Sequence, residues 1–227
     1  MRALASQPGL VEQVYDAVLN AICDGQLAPR QRLTQEEIAR DLDVSRQPVG
    51  QALSLLKAQG FVCDAGRRGL MVAPIAADFV RHHYEYRGAV DALAAGLAAR
   101  ARSESDLDRA RQILTQGRAA VAEGTAHALI AADTAFHRWV YATAGNPIVS
   151  DAMDQQWNHT RRAMSAVVEM SGDWPARIWA EHTMIVAAIE AGDADRAGAL
   201  ALAHTRNAAE ALIATLETVN QNGGPHG

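Results

Sequence analysis

The sequence has few of the features that mark secreted or membrane-bound proteins. It contains only two cysteines in 227 residues, at positions 23 and 63. That is too few for a disulfide framework, and we expect both to be small core residues. No apolar run approaches the roughly 20 residues that span a bilayer, and the N-terminal stretch MRALASQPGL lacks the apolar core of a signal peptide. We therefore predict a cytoplasmic protein that does not enter a membrane.

Positive charge is also scarce, and its distribution divides the chain into two domains. The net charge is −5. Residues 1–75 carry eight Lys and Arg against eight Asp and Glu, whereas residues 76–227 carry thirteen against eighteen. We expect a domain boundary at residues 75 and 76, because only the first part is neutral enough to approach a polyanion such as DNA. Such binding would depend on a local group of arginines, at positions 30, 32, 40, 46, 67 and 68.

Two short helices joined by a tight turn are predicted between residues 33 and 60. Thr34 and Glu37 have the T-x-x-E spacing of a capping box, in which each side chain satisfies a backbone donor at a helix start. Ser45 can cap the second helix, and Gly60 can end it in the left-handed conformation. The residues expected on the inner faces are Ile38, Ala39 and Leu42 in the first helix and Val49, Ala52, Leu53 and Leu56 in the second. The pattern is typical of a helix-turn-helix.

The segments on either side of this pair complete a winged helix-turn-helix. Apolar residues recur at helical spacing between positions 10 and 22, and FVCD and LMVAP flank AGRRG, which predicts a β-hairpin wing. In such a domain the first turn of the second helix enters the major groove, and arginines on a protruding hairpin can contact phosphates. The DNA-contact candidates are Thr34, Arg40, Ser45, Arg46, Gln47, Arg67, Arg68 and Gly69. The alternative is a helix pair that serves only as a packing unit.

From residue 78 onward the sequence is rich in Ala and Leu and shows no alternating strand pattern. Cap and stop residues divide it into six predicted helices, near 78–102, 105–123, 126–144, 147–170, 174–191 and 194–219. We therefore expect an all-α second domain. The predicted fold class is mostly α: an N-terminal winged helix-turn-helix with a small β-wing, followed by a helical bundle.

Asp133 and His137 lie four residues apart in a predicted helix, and so on one helix face. His182 and His204 lie on two later helices, and a bundle can aim all four side chains inward. Three imidazoles and one carboxylate suit a divalent transition metal, zinc first, with nickel and manganese also compatible. Spacing alone leaves the alternatives open, because Asp133 and His137 can form a surface pair and a lone histidine is usually a surface or hydrogen-bonded core residue.

The N-terminal motifs resemble those of the GntR family of bacterial transcription regulators. The matching segments, over about residues 10–74, are GQLAPRQRL, EIARDLDV, SRQPVGQAL and GRRG. Two positions depart from the family pattern. Arg30 replaces a glycine, and Gly50 replaces an arginine that commonly contacts DNA in the family. The resemblance implies operator binding, with an affinity or site preference altered by Gly50.

The second domain resembles the FCD domain of the FadR-type branch of that family. The matching motifs, within about residues 78–219, are DTAFH, EHTMI and the alanine-rich segment that ends at His204. In many members of the branch the matching Asp and His residues hold a metal. The resemblance therefore implies a metal site at Asp133, His137, His182 and His204.

Arg87 lies where FCD sequences often carry an arginine, and its guanidinium fork could hold the carboxylate of an effector. The alternative is a simple i, i+4 ion pair with Asp91. His159 and Arg162 are further candidates for the effector cavity. Glu181 is expected to point to a different face from its neighbour His182.

These features together predict a homodimeric transcription regulator, a repressor, that binds double-stranded operator DNA. It would sense a small organic acid through its metal and perform no catalysis. Two alternatives stay open. The helical domain could be a metal-dependent enzyme that uses the helix-turn-helix as a platform, or the metal could be purely structural.

Overall fold

The chain folds into two units that divide between Ile75 and Ala76. The computed structural model describes residues 9–66, 69–166 and 173–222. Helices make up most of the second unit and about half of the described residues of the first, which also contains a small antiparallel sheet. The predicted mostly α fold with a β-wing is therefore confirmed.

Over its described residues, the first unit is a winged domain of three helices and three strands. Its elements are α1 (Leu10–Cys23), β1 (Arg32–Leu33), α2 (Gln35–Asp41), α3 (Arg46–Ala58), β2 (Val62–Asp64) and β3 (Leu70–Val72). The strands are antiparallel in the order β1-β3-β2, with Val62 opposite Val72 and Leu33 opposite Leu70. The β2–β3 hairpin confirms the prediction. Strand β1 has no sequence signal, because two residues are too few to show an alternation.

Apolar residues of α1, α3 and the sheet enclose the core of this unit. The predicted inner residues of α3 are all buried, as are Ile38 and Ala39 of α2. Cys23 is also buried in this core, whereas Cys63 is half-buried on β2. The prediction for Leu42 is wrong. Leu42 is 37% exposed, because α2 ends at Asp41 and Leu42 is already its C-cap.

The caps of the two helix-turn-helix helices differ from the prediction. The Glu37 N–H donates to the Thr34 hydroxyl (3.2 Å), and that hydroxyl donates to the Glu37 carboxylate (2.6 Å). A full capping box would instead have the carboxylate accept from the Thr34 backbone N–H. Ser45 is the N-cap of α3 without a side-chain cap hydrogen bond. A complete capping box is present at Ser103 and Asp106, in the second unit.

Several positions of the first unit adopt the left-handed backbone conformation, among them Gly60 and Arg30. Gly60, with φ +81°, follows α3 and ends it as predicted. Arg30, in the loop before β1, has φ +68°. Glycine adopts this conformation at no steric cost, whereas another residue pays roughly 1–2 kcal/mol. The arginine that replaces the family's glycine therefore adds strain at this turn.

The second unit consists of helices throughout its described residues. They are α4 (Ala77–Ala101), α5 (Glu104–Glu123), α6 (Ala126–Thr143), α7 (Pro147–Ser165), α8 (Trp174–Ala191) and α9 (Ala194–Asn222). Most ends fall within one residue of the prediction. Helix α7 is described to Ser165, and the predicted end of this helix at residues 167–170 lies outside the described residues. Helix α9 extends three residues further than predicted. In the part of the chain that the structure describes, no helix is both long and apolar enough to cross a membrane.

Helices α4 and α9 pack closely because small residues lie where their backbones meet. A Cβ atom on Gly198 of α9 would lie 3.1 Å from the carbonyl oxygen of Ala92, and one on Gly96 of α4 would lie 3.3 Å from that of Ala194. The remaining core is aliphatic and aromatic. The four tryptophans, at positions 139, 157, 174 and 179, are all buried, as expected of core anchors.

Candidate functional site

All four predicted metal ligands meet at one point inside the second unit. Helix α6 carries Asp133 and His137, α8 carries His182, and α9 carries His204. We call these residues the four-ligand cluster. All four are buried, and one ligand atom from each lies within 4.8 Å of the other three. Asp133 Oδ1 is 3.5 Å from His182 Nε2 and 3.8 Å from His137 Nε2. The Nε2 atoms of His182 and His204 are 3.3 Å apart.

The cluster fits a divalent metal ion. Metal–nitrogen bonds to zinc are about 2.1 Å long, so atoms that share one ion lie roughly 3 to 3.5 Å apart. The separations of up to 4.8 Å in the cluster mean that its side chains would close in slightly around an ion. Burial lowers the pKa of His137 and of His182 well below the usual range, so both rings are in the neutral form that a metal binds. Burial also raises the pKa of Asp133, because an anion is poorly solvated there. A divalent cation would stabilise its charged form.

Glu181 positions the ring of His204, contrary to the expectation that it points elsewhere. His204 Nδ1 lies 2.8 Å from Glu181 Oε2, and the Asn207 amide donates to Glu181 Oε1 at 2.7 Å. Burial alone would raise the pKa of Glu181, but these two hydrogen bonds outweigh it and the pKa is lowered. With Nδ1–H donated to this carboxylate, the lone pair of His204 is on Nε2, which lies in the four-ligand cluster.

Asp91 anchors Arg87 beside the cluster. The two form a buried ion pair, with Arg87 Nε 3.2 Å from Asp91 Oδ2. The Tyr141 hydroxyl donates to Asp91 Oδ1 at 2.5 Å, and the Thr205 hydroxyl donates to Asp91 Oδ2 at 3.0 Å. Burial by itself would lower the pKa of Arg87, but Asp91, Tyr84, Tyr141 and Asp133 together raise it by more, so the guanidinium stays protonated. The i, i+4 pair is thus present, but in the core rather than on the surface.

Arg87 also contacts a member of the cluster directly. Its Nη2 lies 2.7 Å from His137 Nε2. A guanidinium has only donors, so the imidazole nitrogen must accept. The lone pair used in this hydrogen bond is the one that a metal ion would bind. Metal ligation by His137 and the Arg87 hydrogen bond therefore exclude each other.

The other predicted effector residues, His159 and Arg162, are buried on α7. The ring of His159 lies 5.9 Å from that of His83 on α4, centroid to centroid. His83 Nε2 is 3.0 Å from the Thr160 hydroxyl. Burial, followed by the charges of Arg87 and His159, lowers the pKa of His83 to about 4. His83 has one sequence signal, which is its place four residues before Arg87 on the same helix face.

The predicted DNA-contact residues of helices α2 and α3 and of their N-caps lie on the surface of the first unit. Gln47, in the first turn of α3, is exposed. Arg46 forms an exposed ion pair with Glu36 (3.1 Å), and Arg40 forms one with its neighbour Asp41 (3.3 Å). Exposed pairs of this kind are weak, so a phosphate can replace either carboxylate.

The remaining DNA-contact candidates lie at helix starts and at the wing. Thr34 and Ser45 are the exposed N-cap residues of α2 and α3. Gly69 accepts a hydrogen bond from the Ala65 N–H through its carbonyl oxygen (2.8 Å), next to the β2–β3 pairing. The predicted wing-tip residues Arg67 and Arg68 fall outside the described residues.

Comparison with known proteins assigns both units. Residues 82–207, more than half of the chain, match the FCD domain, and residues 10–72 match the family described as bacterial regulatory proteins, gntR family. The chain is a GntR family regulator with an FCD domain. The family predicted from the sequence motifs is thereby confirmed.

Known relatives align with most of this regulator. It is 28% identical over 219 residues to the HTH-type transcriptional regulator LutR of Bacillus subtilis, covering 86% of this chain and 98% of that protein. It is 25% identical over 204 residues to the HTH-type transcriptional repressor RspR of Escherichia coli, covering 88% of each. The structure of E. coli McbR/YncC has the same fold, with a TM-score of 0.76 at 21% identity over 95% of this chain and 99% of that one.

Membership in the family establishes the broad function of the regulator. Its gntR-type unit binds DNA, and its FCD unit binds a small-molecule effector. The family and these relatives are transcriptional regulators, not enzymes. The alternative of a metal-dependent enzyme is therefore not supported.

Proposed function

We propose that this regulator is a homodimeric, metal-containing repressor that senses a small carboxylate. The observation that carries the proposal is the place of Arg87, whose guanidinium lies 2.7 Å from a nitrogen of the four-ligand cluster. A divalent cation and a guanidinium side by side would form a strongly positive, buried site. Small organic acids are the ligands that such a site favours.

The four-ligand cluster would hold the metal. When bound, a divalent ion would supply a coordination position for a carboxylate oxygen of the effector. Zinc is the first choice, because imidazole and carboxylate are among its usual ligands and it accepts a fifth. Nickel and manganese fit the same donor set.

Arg87 would take the effector's carboxylate. Arg87 would lose its hydrogen bond to His137, because the metal would bind the lone pair of His137 Nε2. Asp91 would keep the guanidinium in place through Nε, 3.2 Å away, and is itself held by Tyr141 and Thr205. A fork positioned in this way matches the two oxygens of a carboxylate. His159 and Arg162 would line the rest of the effector cavity.

The proposed dimer rests on an exposed apolar stripe along α4. Phe79, Tyr86 and Leu93 recur at intervals of seven residues, which places them on one helix face, and they are 42%, 45% and 52% exposed. Two copies that pair through this stripe would present two winged domains to two operator half-sites. For repression, effector binding would favour a dimer arrangement that fits the operator less well. The relative RspR carries the name of a repressor.

The proposal is tested by thermal unfolding of the full chain with a panel of small carboxylic acids. Each acid is added to zinc-loaded and to chelator-treated protein, and to the variants His204→Ala and His127→Ala. His127 is exposed, so its variant is the matched control. A ligand at 100 times its Kd stabilises by about 2.7 kcal/mol, enough to raise the melting temperature by several degrees. We expect this shift only with metal, and in the control but not in His204→Ala.

Two results would contradict the proposal in different ways. An acid that stabilises chelated and loaded protein equally would show an effector site without a metal. If chelation lowers the melting temperature and no acid raises it, the metal is purely structural. Burial of the whole four-ligand cluster would then explain why no acid reaches the metal.

A further inference from the structure

The outward face of α3 carries two carboxamides at its centre, with the charged side chains of Arg46 and Lys57 at its edge. Gln47, Gly50, Gln51 and Ser54 are spaced three and four residues apart, so they share one side of the helix. The opposite side is buried in the core. Gln47, Gln51 and Ser54 are exposed and Gly50 is half-buried. We call these four residues the amide face.

Gly50 allows α2 to add a third carboxamide to this face. A Cβ atom on Gly50 would lie 3.3 Å from Gln35 Nε2, so the Gln35 side chain rests where a larger residue would stand. Gln35, Arg46 and the amide face line an open groove of about 640 Å³. The groove exists in this form because position 50 has no side chain.

Two polar side chains that line the groove, Arg46 and Ser54, have partners within the unit. Arg46 is paired with Glu36 at 3.1 Å. The Ser54 hydroxyl donates to the Gly50 carbonyl at 2.8 Å, within the helix. Arg46 can exchange its exposed partner Glu36 for a DNA phosphate, so the groups best placed to read base edges are the exposed carboxamides of Gln47 and Gln51.

We propose that Gln47 and Gln51 read adenine bases in the major groove of the operator. A carboxamide donates and accepts at once, which matches the N7 acceptor and N6 donor of adenine. Guanine presents two acceptors there and is read best by Arg or Lys, which the amide face lacks. Residues four apart lie about 6 Å apart along a helix, so the two glutamines would address bases one or two steps apart. The inference rests on DNA reading by α3.

The proposal is tested by selecting binding sites for the full chain from random duplex DNA. The proteins compared are wild type, Gln47→Ala, Gln51→Ala and Gly50→Arg, with Gln112→Ala as the control because Gln112 is an exposed glutamine of the other unit. We expect the wild type and the control to select adenine over guanine by roughly tenfold or more at two positions per half-site. Each glutamine variant should lose that preference at one position.

Gly50→Arg should change specificity rather than merely weaken binding. The nearest neighbours of its Cβ atom are at the flexible end of the Gln35 side chain, and arginine favours a helix more than glycine does. The variant should fold, which circular dichroism and thermal melting would verify. It should select guanine at a position where the wild type does not.

Three results would overturn the proposal. Selected half-sites with guanine at the positions affected by the glutamine variants would show that carboxamides do not read adenine here. Glutamine variants that select the same sites as wild type would exclude a role in reading, while leaving DNA binding by the regulator intact. If the wild type enriches no sequence at all, sequence-specific DNA reading by α3 fails first, and the inference fails with it.

Discussion

Arg87 and Asp91 show how burial changes the contribution of an ion pair to stability. On a helix surface an i, i+4 pair contributes only about 0.2–0.5 kcal/mol. Here both side chains are almost completely buried, at 2% and 4% exposure, and each has further hydrogen-bond partners. Removal of one partner from such a pair typically costs about 3–5 kcal/mol, because an uncompensated charge stays behind. The pair therefore fixes the position of the guanidinium beside the cluster.

Glu181 provides the sharpest test of the metal site, because it orients a ligand without being one. Glu181→Gln keeps the size of the side chain but removes its charge, which weakens its hold on His204 Nδ1. Loss of such a partner typically lowers metal affinity about 10–100-fold, and we expect a loss in that range. Competition of the full chain with a coloured chelator for zinc measures it.

The matched control for Glu181 is Glu217→Gln, an exposed glutamate on the same helix as His204. The control should bind zinc as wild type does. Equal zinc affinity of Glu181→Gln and wild type would show that the carboxylate does not support His204 as a ligand. Thermal melting of the chelated variants separates this effect from a general loss of stability.

Helix α4 combines two roles on its two sides. Its inward side carries His83, Arg87 and Asp91, next to the candidate effector site. Its outward side carries the apolar stripe that we propose as the dimer contact. Any movement of the inward side on effector binding would be carried rigidly to the outward side, because a packed helix moves as a unit.

Charge placed in the stripe should dissociate the dimer. Tyr86→Glu with Leu93→Glu would bring like charges together across the two-fold contact and remove apolar burial. We expect the dimer dissociation constant to rise at least about tenfold, which corresponds to about 1.4 kcal/mol. Sedimentation velocity over a concentration series measures it.

Ile148→Glu is the control for the stripe, because Ile148 on α7 is 74% exposed and lies outside it. This variant should sediment as wild type does. If the dimer persists with both substitutions in the stripe but dissociates in Ile148→Glu, the dimer interface lies on α7 and not on the stripe.

DNA binding and effector binding belong to different units of one chain, so regulation is a coupling free energy between two sites. If the effector lowers operator affinity by some factor, the operator must lower effector affinity by the same factor, typically about 5- to 150-fold. We expect this reciprocity in titrations of effector against the free and the operator-bound regulator.

Asp133→Asn should keep operator affinity and lose the effector response.

Two results would contradict this description of the whole chain. Unequal factors in the two titrations would show that more than one equilibrium is being measured. Loss of operator affinity in Asp133→Asn would show that the cluster supports the fold of the DNA-binding form rather than the effector response.

Much of the fold could be predicted because helix signals are local. Caps, glycine stops and apolar spacing placed most helix ends within one residue. Two of the failures have different causes, one at a helix end and one at a contact between helices. Leu42 fits the apolar pattern of α2, but the helix has already ended, and its side chain is exposed. Glu181 follows its helix pattern, yet it meets His204 because α9 packs against α8.

The sequence by itself determined the helices, the division of charge between the two parts and the residue types of the four-ligand cluster. These features depend on local propensity and on motifs of fixed spacing. Only the tertiary structure decided that Arg87 reaches His137, that Thr205 and Tyr141 hold Asp91, and that Glu181 orients His204. Arg87 and His137 are 50 residues apart in the chain, and so are Asp91 and Tyr141. Asp91 and Thr205 are 114 residues apart, and Glu181 and His204 are 23 apart. Contacts at such separations exist only once the helices have packed, because no local pattern encodes which side chains then meet.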